Sequence, residues 1–164
     1  MRGARKTLAL AAALGLAASL AWAQLPKANT VVQVRVEPAQ VKAKPGGAVA
    51  VNLIAQVQEG FHINSNQPLS SYLIPSRVEL VEAPAFSLEA VEYPKGALMT
   101  FDFAPDEKLS VYEGTLKLPV RLKVKRGTPR GSQTVRVAFH YQACNDQLCL
   151  PPAQREATLQ VQLQ

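Results

Sequence analysis

Five stretches of this chain place an apolar side chain at every second position, and that period of two decides the fold class. In "TLKLPVRLKVK" the side chains of Leu116, Leu118, Val120, Leu122 and Val124 face one way, while Lys117, Arg121 and Lys123 face the other. A helix would scatter these residues around its axis; a half-buried strand sorts them onto two faces. "AVAVNLIAQV" repeats the pattern through Val49, Val51, Leu53, Ala55 and Val57. So do "VVQVRV" (Val32, Val34, Val36), "TVRVAFHY" (Val135, Val137, Phe139, Tyr141) and "ATLQVQL" (Ala157, Leu159, Val161, Leu163). Shorter strands are expected near Arg77–Glu82, Ser87–Tyr93 and Leu109–Glu113. Pro119 falls on the polar side of its run and predicts an edge strand or a bulge, because proline cannot donate to a ladder.

Between the runs stand "KPGG", "QEG", "NSNQP", "EAPA", "YPKG", "APDE" and "KRGTPRGS", whose Gly, Pro, Asn and Asp suit turns. No segment keeps a helical period for three turns. Some eight short strands predict an all-β fold: an immunoglobulin-like, antiparallel sandwich of two sheets. There is no internal repeat, low-complexity tract or linker, so a single domain is expected.

The first residues bear on the compartment. Arg2, Arg5 and Lys6 precede an apolar run from Leu8 to Leu20, and Ala21-Trp22-Ala23 offers small residues at both positions a signal peptidase reads. This pattern is a secretory leader, residues 1–23, with cleavage after Ala23 and a mature domain over 24–164. The run is short for a bilayer span and no second one follows, so direct membrane insertion is not expected. Losing the three basic residues lowers 18 Lys+Arg to 15 against 12 Asp+Glu, a net charge of +3 in place of +6. That is too small to argue for nucleic acid. The one basic cluster, "KVKRGTPR", reads as a solvated hairpin tip.

Several constellations are missing: a Gly-rich phosphate loop, His-Glu-x-x-His, Gly-x-Ser-x-Gly and Cys-x-x-Cys. The residues left for chemistry are Cys144, Cys149, His62, His140, and the carboxylates around Asp102 and Asp146. Two lone cysteines in an oxidising compartment normally pair. As a staple the ring is weak, since closing about six residues removes only about 2 kcal/mol of chain entropy. As a redox pair it keeps the second thiol beside the first, so that a mixed disulfide resolves quickly. A metal site from Cys144, Cys149, His140 and His62 has an unusual ligand spacing for an extended segment. Spacing alone leaves all three open and favours redox chemistry. The ring holds Asp146 and no cation, which disfavours the thiolate and suits a guarded carrier more than a promiscuous oxidant.

The segment "YQACNDQLCLPP" resembles the cysteine segment of the N-terminal periplasmic domain of the thiol:disulfide interchange protein DsbD. "GFHINSNQP" and "YPKG…VYEGTLKLPVRLKV" extend the likeness over most of the mature chain. The resemblance implies an immunoglobulin-like domain that takes electrons from a membrane-embedded or thioredoxin-like donor. It would pass them to thioredoxin-like periplasmic proteins, such as disulfide isomerases and cytochrome c maturation factors. Carried over by position, Cys149 forms the mixed disulfide and Cys144 resolves it. Phe101 and Phe103 are implied as an aromatic cap, Asp102 as the acidic side chain near it, and Phe61, His62 and Tyr141 as lining residues. The chain departs from the family pattern in having four rather than five residues between its cysteines. It also carries Ala104-Pro105 where a bulkier, Gly-containing cap segment is usual. Read without the family, Phe61, Phe101 and Phe103 serve equally as core aromatics, His62 as a structural side chain, and Tyr141 as a core residue with a bonded hydroxyl.

These readings converge on a periplasmic, monomeric module that shuttles two electrons through a reversible Cys144–Cys149 disulfide. No cofactor is needed, because thiolate attack on a disulfide sulfur is the whole reaction. The rival reading is a non-catalytic binding or assembly sandwich whose short disulfide stiffens a loop. The sequence stops at Gln164, which is compatible with a free-standing domain and with a piece of a longer chain.

Overall fold

The structure, a computed structural model, describes residues 26–102 and 104–164; the expected leader and Phe103 lie outside the described residues. The two longest alternating runs form the middle of the first sheet. β3 (Ala48–Val57) pairs antiparallel with β9 (Thr115–Val124), placing Leu53 opposite Leu118 and Ala55 opposite Leu116. β1 (Val32–Glu37) and β6 (Phe86–Val91) flank them in the order β1-β3-β9-β6. The second sheet is built on β10 (Gly131–Tyr141) and β12 (Ala153–Leu163), antiparallel along their full length, with β5 (Arg77–Val81) beside β10. The apolar faces predicted from the period of two meet between the sheets. Leu53, Leu118, Leu122, Val135, Phe139 and Leu159 are all fully buried there.

One strand breaks the antiparallel expectation. β2 (Gln40–Ala43) pairs parallel with β12, Val41 against Val161. β1 lies in the first sheet, so the chain changes sheets within a few residues, and β2 arrives at the edge of the second sheet in the direction of β12. Pro119 also lies elsewhere than expected, since β9 is an interior strand. The Glu92 amide donates to the Pro119 carbonyl at 2.9 Å, just past the end of β6 at Val91. A residue's N and C=O point the same way along a strand. The missing proline donor therefore faces Glu92, where the β6–β9 ladder ends, so only the terminal reciprocal bond is lost and none inside the ladder.

A third sheet, not anticipated, carries the region of interest. It runs β11-β4-β8-β7, with β11 (Ala143–Cys144), β4 (His62–Asn64), β8 (Ala104–Tyr112) and β7 (Ala97–Phe101). "APDE", expected to be a turn, instead opens β8. Phe101 pairs with Ala104, and Asp102 lies in the turn that follows β7. Pro105 sits in the irregular stretch between that pair and Met99–Leu109, where it interrupts no regular ladder.

Candidate functional site

Cys144 and Cys149 form a disulfide with Cα atoms 3.9 Å apart. Backbone bonds bracket them: the Leu150 amide donates to Ala143 O at 2.8 Å, and the Asn145 amide to Leu148 O at 2.9 Å. The two cysteines are thus the directly opposed, non-hydrogen-bonded pair of a small hairpin, where strands approach most closely. The Asn145 side chain shapes the four-residue loop by accepting from the amides of Gln147 (3.0 Å) and Leu148 (2.9 Å). Cys144 is completely buried, whereas Cys149 is exposed.

The hairpin is the far end of the β10–β12 pair, and the register slips on the way. Tyr141 pairs with Ala153, yet Cys144 pairs with Cys149. Two residues, Gln142 and Ala143, therefore face three, Leu150 to Pro152. This is a β-bulge, and the two prolines occupy the side with the extra residue.

Beside the hairpin, β11 pairs with β4 so that Cys144 opposes His62 and Ala143 opposes Ile63. His62 is 2% exposed, and its ring stacks on Phe101 with centroids 3.9 Å apart. Burial lowers the imidazole pKa to about 4, with the Asp146 carboxylate pulling weakly in the opposite direction. His62 is therefore neutral at pH 7. Phe101 belongs to a small second core with Leu73, Leu109 and Val111. Leu73 comes from the segment between β4 and β5. The Tyr72 hydroxyl (2.7 Å) and the Ser70 hydroxyl (3.3 Å) strap that segment to the Glu107 carboxylate on β8.

The structure thus gathers Cys144, Cys149, His62 and Phe101, with Asp146 exposed at the hairpin tip and Asp102 exposed at the β7–β8 turn. Tyr141 goes elsewhere. It is fully buried in the main core, its hydroxyl donates to Ala28 O at 2.9 Å, and burial pushes its pKa up to about 12. Phe61 also packs against the main core and not against the Phe101 cluster. His140 lies in the second sheet, 3.0 Å from the Glu79 carboxylate. No group of three or more His, Cys, Asp or Glu side chains among the described residues is arranged to hold a metal ion. Sequence reasoning missed Asn64 and Gln142. The buried Asn64 amide donates to Ile74 O (3.0 Å) and to Gln142 Oε1 (3.2 Å), joining the 65–76 segment to the cysteine hairpin. A buried asparagine carries no periodic signal, and only the quoted "YQ" hinted at its partner.

Residues 28–161 match the family model described as thiol:disulfide interchange protein DsbD, N-terminal. The chain belongs to the DsbD N-terminal domain family. Among solved structures, the N-terminal periplasmic domain of ScsB from Proteus mirabilis is similar in fold, with a TM-score of 0.56 at 16% identity. The alignment covers 85% of this chain and 49% of that one, so the chain spans about half the length of that relative. The CssB subunit of an enterotoxigenic Escherichia coli colonization factor aligns at a TM-score of only 0.41 and 11% identity, over 84% of this chain and all of that one. No curated protein matches significantly by sequence. Within this DsbD N-terminal domain, the four-residue spacing closes a regular hairpin, which accounts for the short ring. No helix among its described residues is long and apolar enough to cross a membrane.

Proposed function

We propose that the domain relays two electrons through reversible opening of the Cys144–Cys149 disulfide, in the periplasm, between a membrane-embedded or thioredoxin-like donor and thioredoxin-like acceptors. The observation that carries this reading is the unequal exposure of the two cysteines, one buried and one open to a partner. A donor thiolate attacks Cys149 Sγ, the S–S bond breaks, and Cys144 leaves as a thiolate that takes up a proton. The donor's second thiol then releases Cys149, leaving a dithiol in the domain and a disulfide in the donor. On delivery the Cys149 thiolate attacks the acceptor's disulfide. Cys144, after losing its proton, attacks Cys149 Sγ, restores the ring and frees the acceptor as a dithiol.

Phe101, stacked on His62 beside Cys144, acts as the cap in this reading, and the exposed Leu69, Tyr72, Ile74 and Leu98 offer apolar surface to a docking protein. Equilibration against glutathione tests the relay. A working pair titrates in the range of periplasmic thiol partners, whereas a structural bridge lies below about −300 mV. In the native compartment, Cys144→Ala should accumulate mixed disulfides through Cys149. Finding none would overturn the relay in favour of a stiffened binding module.

A further inference from the structure

The bulge beside the disulfide poses a physical problem. Pro151 and Pro152 bring no amide N–H to the stretch where β12 gives way to the cysteine hairpin. The ladder between the Tyr141–Ala153 pair and the Ala143–Leu150 bond is interrupted there. The side chain of Gln142 occupies the gap. Its Nε2 donates to Leu150 O at 3.4 Å, while its Oε1 accepts from Asn64 Nδ2 at 3.2 Å and from the Ile74 amide at 3.4 Å. Its own carbonyl accepts from the Asn64 amide at 3.3 Å. One half-buried side chain therefore bonds the residue after Cys149, the strand beside Cys144 and the segment that supplies Leu73 to the Phe101 cluster.

We propose that Gln142 is a positioning residue that holds the two flanks of the cysteine ring at disulfide spacing when the disulfide is open. Gln142 lies two residues before Cys144, and Leu150 lies one residue after Cys149. Beside the Leu150–Ala143 backbone bond, theirs is a further non-covalent link, made by a side chain, between the same two flanks that the disulfide joins. Reduction removes the covalent link and leaves this one. The thiols then stay close, and their effective concentration sets how stable the disulfide is relative to the dithiol. This inference rests on the relay reading but is measured separately from it.

The test compares the equilibrium in which the domain's disulfide and two glutathione molecules exchange with the domain's dithiol and glutathione disulfide. Gln142→Met keeps the volume and loses every side-chain hydrogen bond. Gln142→Glu keeps an acceptor for Asn64 and Ile74 but loses the donor to Leu150 O, and it carries the measurement if the methionine variant fails to fold. Both variants are expected to shift the equilibrium about fivefold toward the dithiol, equal to about 20 mV for a two-electron couple. Val137→Ala, a main-core substitution, lowers stability and should leave the equilibrium unmoved. Gln142 variants that titrate as wild type would overturn the proposal, and so would an equal shift in Val137→Ala. A wild-type disulfide that glutathione cannot reduce would sink the relay instead. The Gln142 comparison would then be made against dithiothreitol.

Discussion

The imidazole of His62 lies flat against the ring of Phe101, with centroids 3.9 Å apart and planes 18° from parallel, while its backbone pairs in register with Cys144. A side chain that titrates near neutrality in water is thereby placed, uncharged, against an aromatic ring on the strand next to the buried cysteine. The consequences of that placement can be measured without knowing any partner.

Acid should destabilise the fold through His62. Its pKa is about 4 in the folded chain against 6.5 when solvated, so between those values the unfolded chain binds a proton that the folded one does not. The stability associated with neutral His62 is fully present above pH 6.5 and is lost as the pH falls toward 4. The loss amounts to roughly 3 kcal/mol at the acid end. Urea titrations of wild type and His62→Phe at pH 7.5 and pH 4.5 should differ in slope against pH. Parallel curves would show that the imidazole titrates alike in both states.

Removing the other ring tests shielding. Phe101→Ala should cost about 3 kcal/mol, as expected for a large aromatic truncated inside a packed cluster. If the ring covers the disulfide, dithiothreitol should also reduce the variant several times faster than wild type. An unchanged rate with lowered stability would leave Phe101 as a packing residue alone.

Gly96 is required by close approach. A Cβ there would overlap the Ser110 hydroxyl and lie 2.9 Å from Ser65 Cβ, just before β7 begins. Gly96→Ala should destabilise the domain by about 1–3 kcal/mol. Adding Ser110→Ala removes the nearest obstacle and should recover part of that loss in thermal melts.

Tyr141→Phe deletes the hydrogen bond that ties β10 to the short 3-10 turn Ala28–Thr30. The expected cost is about 1 kcal/mol. Amide exchange should show the change concentrated around residues 28–31, with the cysteine hairpin unaffected. Faster exchange at Asn145 and Leu150 would instead place Tyr141 in the redox site.

The sandwich was legible because β3, β9, β10 and β12 each bury one face, and burial of one face writes a period of two into the sequence. The third sheet was not. All three residues of β4 are buried, β7 is mostly solvent-facing and β11 has two residues, so none of them alternates. Pro119 was misplaced for a related reason: its tolerance depends on where β6 ends, which is a tertiary fact. Within the site, the cysteines were visible from spacing and Phe101 from family likeness. Tyr141 was drawn toward the core by its strand's alternation. The role of Gln142 depends on a register slip that appears only when β10 and β12 are laid side by side.

The disulfide closes a hairpin whose ends are already bonded through Ala143 and Leu150, and it joins no distant parts of the chain. Opening so small a ring releases about 2 kcal/mol of chain entropy to the unfolded state, and no pairing within the two sheets of the sandwich runs through the ring. That entropy corresponds to an unfolded population about thirtyfold larger, and proteases sample it, so the reduced form should be the shorter-lived of the two. A domain built this way lasts longest with its ring closed and is cleared faster while it holds two thiols.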